Sequence, residues 1–129
     1  MSSAMIVGLQ PDAVETGAEI LKAGGNAVDA AIACGLVQTV VDPLMCGIAG
    51  FGSMQIYLPN QNVHEFIDFH GRVPAAATAD MWKDRIIGET DDGFGFVLKG
   101  AVNDLGYQSI TTPGTLKAFR LPYERYCSL

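Results

Sequence analysis

Positive charge is scarce in this sequence. Lys and Arg number 8 against 14 Asp and Glu, a formal net charge of -6 with a sequence pI near 4.6. Nucleic acid needs a basic face to neutralise its phosphates, and an anionic lipid surface needs one too, so neither partner is expected. Charge of either sign is also low, at 17%, where about 25% is usual for a soluble domain. Hydrophobic residues make up 49%, which is too apolar for a disordered chain. Long apolar runs are missing as well. The stretch 27–41 is interrupted by Asp29 and Gln38 and falls short of the roughly 20 residues that span a bilayer. The first ten residues carry no Lys or Arg, so no secretory signal is expected and the expected compartment is the cytoplasm. Three cysteines, Cys34, Cys46 and Cys127, occur without CxxC spacing. That spacing predicts neither a disulfide framework nor a zinc site, and is consistent with thiols in a reducing compartment.

What is present is a set of short elements in a chain long enough, at 129 residues, for one domain. Residues 4–9 read as a short buried strand. Gln10-Pro11-Asp12 opens a helix, with Asp12 and Glu15 spaced as a capping box. Gly24-Gly25 stops it, and Asn26 caps a second helix over 27–41 with Asp29 at the third position. That helix is apolar all round, which predicts burial on every side. Asp42-Pro43 ends it. A glycine-rich loop follows at 44–53. Residues 51–58 and 63–69 alternate as strands of a β-hairpin, the first with Met54, Ile56 and Leu58 on one side. Residues 74–78 lead to a short helix near Ala79–Ile87, where Trp82 is a packing residue. Residues 88–95 read as an exposed acidic loop, and 96–110 carry no clear pattern. Thr112-Pro113-Gly114 starts a last helix, which Pro122 should kink or shorten. An apolar helix with so few partners points to a piece of a larger domain.

Several residue groups invite a chemical reading. Cys46-Gly-Ile-Ala-Gly-Phe-Gly52 has GxxGxG spacing and precedes a strand. A dinucleotide loop requires GxGxxG between a strand and a helix, so a tight structural loop is expected. Asp68 and His70 lie two apart on a strand and share a face, an arrangement that can orient an imidazole. No G-x-S-x-G elbow completes a triad. His70 and Arg72 at the strand end can hold a carboxylate, Arg72 by a bidentate pair. Glu89, Asp91 and Asp92 lack the spacing of a calcium loop and read as solvated, so no metal is expected.

The segment EILKAGGNAVDAAIACGLVQTVVDPLMCGIAGFGSM resembles the N-terminal part of the large subunit of γ-glutamyltransferases (γ-glutamyl transpeptidases). The family pattern runs E-I-L-K-x-G-G-N-A-V-D-A-A, then V-x-P, then S-G-I-G-G-G. The likeness continues through Ile67-Asp68-Phe69 and 74–78, and 106–116 resembles the family's G-x-x-S-x-x-x-P-G-T. The resemblance implies an α+β chain, part of the αββα sandwich of an N-terminal-nucleophile hydrolase. It implies a precursor that cuts itself into two subunits. A new N-terminal Thr then attacks a γ-glutamyl or related small-molecule amide, with no cofactor. The family's T-T-H motif does not occur here, and Thr111-Thr112 falls before P-G-T instead. The isolated chain is therefore expected to be inactive without the missing small-subunit portion. Where the family has D-F-R-E or D-G-R-E, a gapless count places His70 at the Arg that binds the substrate carboxylate, and a two-residue shift places Arg72 there. Asp68, His70 and Arg72 are thus the expected substrate-binding residues. The alternative is a non-catalytic structural or binding remnant of the same fold.

Overall fold

The computed structural model describes residues 4–129. Helix α1 spans Pro11–Lys22, with Pro11 at its first turn where a missing N–H costs nothing. The expected capping box of Asp12 and Glu15 does not form: Gln10 is the cap residue, and no side-chain hydrogen bond caps the helix. Asp12 lies inside the first turn, past the cap position, so its side chain does not take the cap role. Gly24, at φ +97°, takes the left-handed turn that ends the helix. Helix α2, Ala27–Val41, begins with a complete capping box. The Asn26 side chain accepts from Val28 and Asp29 N–H groups, and Asp29 accepts from the Asn26 N–H at 2.8 Å. The two helices form an antiparallel hairpin. At their crossing a Cβ on Gly17 would stand 3.1 Å from the Ala30 carbonyl, a tight contact that glycine avoids.

Strands β1 (Ser53–Leu58) and β2 (Val63–Asp68) pair antiparallel from Ser53 opposite Asp68 to Leu58 opposite Val63. Their connection closes on Asn62 in the left-handed region at φ 53°. Ile56 packs on Val28 and Ile32 of α2, with Met54, Leu58, Val63 and Ile67 around it. Helix α3, Thr115–Tyr126, adds Phe119 and Tyr126 to that core. These elements belong to one unit, Met1–Gly71 with Pro113–Leu129.

The other unit is Arg72–Thr112. Its ends are joined by the Thr112 N–H donating to the Arg72 carbonyl at 2.9 Å. Strands β3 (Ile86–Glu89) and β4 (Phe96–Leu98) form its hairpin, with a bulge between Ile86 and Gly88. In the turn, Asp92 accepts from the Thr90 hydroxyl and the Phe94 N–H.

Three further expectations are corrected. Residues 4–9 form no strand, because no strand lies beside them to supply ladder hydrogen bonds; Met5, Val7 and Leu9 are exposed. Residues 79–87 are turns, a 3-10 turn at Lys83–Arg85 and the start of β3 rather than a helix. The β-branched pair Ile86-Ile87 favours the pleated strand there. Helix α2, by contrast, is only partly covered, as its scarcity of partners in this chain implies: it is buried at Val28, Ala30, Ile32 and Thr39 but exposed at Val40 and Val41. Helix α3 is not shortened at Pro122: it runs through this buried residue to Tyr126.

Candidate functional site

The glycine loop fixes the entrance to β1. The Gly50 carbonyl accepts from the N–H groups of Gly114 and Thr115 at 3.0 and 3.3 Å, which docks the start of α3 onto the loop. Gly52 and Phe69 exchange backbone hydrogen bonds at 3.0 and 3.4 Å and prolong the β1–β2 ladder by one pair. A Cβ on Gly114 would stand 2.7 Å from the Phe69 carbonyl, so the two backbones touch. The loop is a structural joint, as its spacing predicts, and its effect is to hold Phe69 and the residues beside it in one place.

Asp68 ends β2 on the face away from α2, and His70 follows it on the same side. The Asp68 carboxylate accepts from the His70 backbone N–H at 3.0 Å and faces the ring Nδ1 at 2.8 Å. A carboxylate only accepts, so Nδ1 carries the hydrogen and the ring orientation is set. Nε2 is then the position left for a ligand, and it donates to one only when the ring is protonated. The Phe51 ring lies 6.0 Å from the imidazole, centroid to centroid. Both Asp68 and His70 are exposed, so their ion pair adds little stability and leaves the ring accessible. The structure thus brings together two of the three residues singled out from the sequence. Arg72 belongs to the second unit, where its backbone pairs with Thr112 and its side chain is exposed.

One acidic group does more than its spacing reveals. Asp29 is buried, and besides capping α2 it accepts from the Ser128 N–H at 3.1 Å and the Ser128 hydroxyl at 2.8 Å. Burial pushes its pKa up, but hydrogen bonds from the Asn26 N–H, the Cys127 thiol and Ser128 outweigh that and hold it well below the usual carboxylate range. The Cys127 thiol is pushed up to about 11, first by burial and then by its hydrogen bond to Asp29 and that group's charge. Asn26 completes the clasp by donating its side-chain amide to the Tyr126 carbonyl at 2.6 Å. The partner residues are about a hundred positions away, so only a spacing rule for long-range contacts would have found them. Among the described residues no helix is long and apolar enough to cross a membrane.

Residues 13–129 match the sequence profile of the family described as gamma-glutamyltranspeptidase. The glutathione hydrolase proenzyme of Pseudomonas sp. (strain A14) is 39% identical over 122 residues, covering 95% of this chain and 20% of that protein. The acylase ACY 1 proenzyme of Pseudomonas sp. (strain V22) is 37% identical over 131 residues, covering 99% of this chain and 22% of that protein. The solved γ-glutamyltranspeptidase from Pseudomonas nitroreducens, complexed with L-DON, superposes with a TM-score of 0.82 at 27% identity. That superposition covers all of this chain and 35% of the solved one. The chain therefore spans about a fifth of the length of these curated relatives. A profile match from residue 13 to residue 129, together with these relatives, shows that the chain belongs to the γ-glutamyltranspeptidase family.

Proposed function

We propose that this chain is the opening part of the large subunit of a self-cleaving amide hydrolase, and that it forms one wall of the acyl-donor pocket. In this reading α1, α2 and the β1–β2 hairpin are a portion of an αββα sandwich. Support for the sandwich comes from the outer face of the hairpin. Tyr57 and Phe66 stand there 66% and 65% exposed, on the side that a second packed sheet would cover. The nucleophile comes from the rest of the precursor, as an N-terminal Thr whose own amine takes the hydroxyl proton. Its hydroxyl attacks the amide carbon, the amine leaves, and the acyl group passes to water or to an amino acid. The isolated chain is inactive because it carries none of these reacting groups.

The observation that carries the pocket assignment is the Asp68–His70 pair, an oriented and accessible imidazole at the end of a core strand. A protonated His70 would hold the substrate carboxylate through Nε2, with Asp68 keeping the ring in place. Arg72 is the other group able to do so, by a bidentate pair that does not depend on pH in the working range. The relatives named glutathione hydrolase and acylase suggest a γ-glutamyl or related small acyl amide as substrate.

The test is donor kinetics in enzyme reassembled with the Thr-bearing portion, using a γ-glutamyl anilide. If His70 binds the carboxylate, KM for the donor rises with pH. His70→Arg should then raise kcat/KM and flatten that dependence. A pH-independent KM with loss of binding in Arg72→Ala would assign the role to Arg72 instead. Turnover untouched by either variant would remove both residues from the pocket.

A further inference from the structure

Beside the Asp68–His70 pair stands an aromatic residue to which the hydrolase reading gives no role. Phe51 lies in the glycine loop, and both of its neighbours are anchored. The Gly50 carbonyl accepts from the Gly114 and Thr115 N–H groups, and Gly52 exchanges backbone hydrogen bonds with Phe69. Ser53 opposite Asp68 and Gly52 opposite Phe69 carry the register on to Phe51 opposite His70. Cross-strand partners share a face, and the Phe51 ring accordingly stands 6.0 Å from the imidazole, tilted by 35°. It is 61% exposed, so it is no core residue of this unit. Counted without a gap from Cys46, the family pattern S-G-I-G-G-G has Gly where this chain has Phe51. The same kind of count places His70 at the family's Arg. Two departures from the pattern, separated in sequence by a whole hairpin, thus meet ring beside ring.

His for Arg reduces a bidentate carboxylate contact to a single N–H, and Phe for Gly adds apolar surface next to it. A donor gains from that surface only with an apolar group near its carboxylate. An ammonium there, as in a γ-glutamyl group, would be repelled by the protonated imidazole that holds the carboxylate. We propose that Phe51 is a specificity residue of the donor pocket. The preferred donor is an acyl amide with an aromatic ring on the carbon next to its carboxylate, where a γ-glutamyl group has its ammonium. The carboxylate lies at His70 Nε2, and the ring packs on Phe51 offset or edge-on, the arrangements that two aromatic rings favour. This inference rests on the reading of Asp68–His70 as the carboxylate-binding pair.

The experiment uses enzyme reassembled with the Thr-bearing portion and three anilides of one glutaryl chain. The carbon next to the free carboxylate carries hydrogen, ammonium (the γ-glutamyl anilide) or phenyl. The phenyl-bearing anilide should have the highest kcat/KM of the three. Its ratio to the hydrogen-bearing anilide should fall about fivefold in Phe51→Gly, the effect of one lost aromatic pair. Phe51→Ala keeps a Cβ in the loop and should lower the ratio similarly. A loosened loop alone would lower kcat/KM for both donors and leave their ratio in place. A ratio unchanged in either variant, or a wild-type preference for the γ-glutamyl anilide, overturns the proposal and leaves the hydrolase reading standing. Turnover of none of the three overturns that reading, and the proposal with it.

Discussion

Replacing Asp29 by Ala should undo the junction between the start of α2 and the end of the chain. The carboxylate accepts from the Asn26 N–H at 2.8 Å, the Ser128 N–H at 3.1 Å and the Ser128 hydroxyl at 2.8 Å. Hydrogen bonds to a charged group contribute roughly 1.5–3 kcal/mol each, and the members of one network do not add. Ser128 is exposed and regains water when released, which lowers the sum. The expected local loss is therefore about 3 kcal/mol, or about a hundredfold in opening equilibrium. Hydrogen exchange of the full chain reads this directly at the Ser128 amide and at the first turn of α2. Asp29→Asn keeps one acceptor oxygen and should lose about half as much. The sign of the pH dependence follows from the lowered folded pKa. The stabilisation is fully present above the unfolded carboxylate value of about 3.9 and is lost as pH falls below it, toward the folded value. Protection at Ser128 should thus be flat, after correction for intrinsic exchange, from about pH 7 to about pH 5. Unchanged Ser128 exchange in Asp29→Ala would refute the clasp. Protection that already declines between those pH values would refute the assigned charge state.

Other perturbations probe separate parts of the structure. Gly114→Ala forces a Cβ to 2.7 Å from the Phe69 carbonyl and should cost about 1–3 kcal/mol in denaturant unfolding. Gly88→Ala meets nothing within 4 Å and should be neutral or slightly stabilising in the same assay. Cys127, with its pKa pushed up to about 11, should alkylate slowly near neutral pH. Asp29→Asn removes the charge and weakens the hydrogen bond that both contribute to that rise, so labelling at Cys127, followed by peptide mass, should become several-fold faster. Ile56→Ala empties the centre of the cluster with Val28 and Ile32 and should cost about 2–5 kcal/mol by urea midpoint.

The helical hairpin was legible because its signals are local. Gly24 needs a positive φ, Asn26 and Asp29 sit three apart, and each lies next to the structure it controls. The β1–β2 hairpin was legible for the same reason, since alternation and a turn are short-range patterns. Residues 4–9 and 79–87 were misread because a strand and a short helix are decided by neighbours. The first has no strand beside it, and the second is drawn into pairing with β4. The apolar character of α2 was legible, and so was its partial exposure, because the sequence offers too few apolar partners to surround it. At the site, period-two spacing placed Asp68 and His70 on one side correctly. The same spacing could not tell that the chain passes into a second unit at Arg72. Asp29 was readable as a cap and not as a clasp, because Ser128 lies 99 positions away.

We propose that this chain works as part of a larger, self-cleaving amide hydrolase. Purifying the native product with an antibody to this chain, and taking its intact mass and N-terminal sequences, tests it most directly. Two polypeptides should copurify with γ-glutamyl or related amidase activity, the smaller one beginning with Thr. A single product of 13.7 kDa without amidase activity would contradict it.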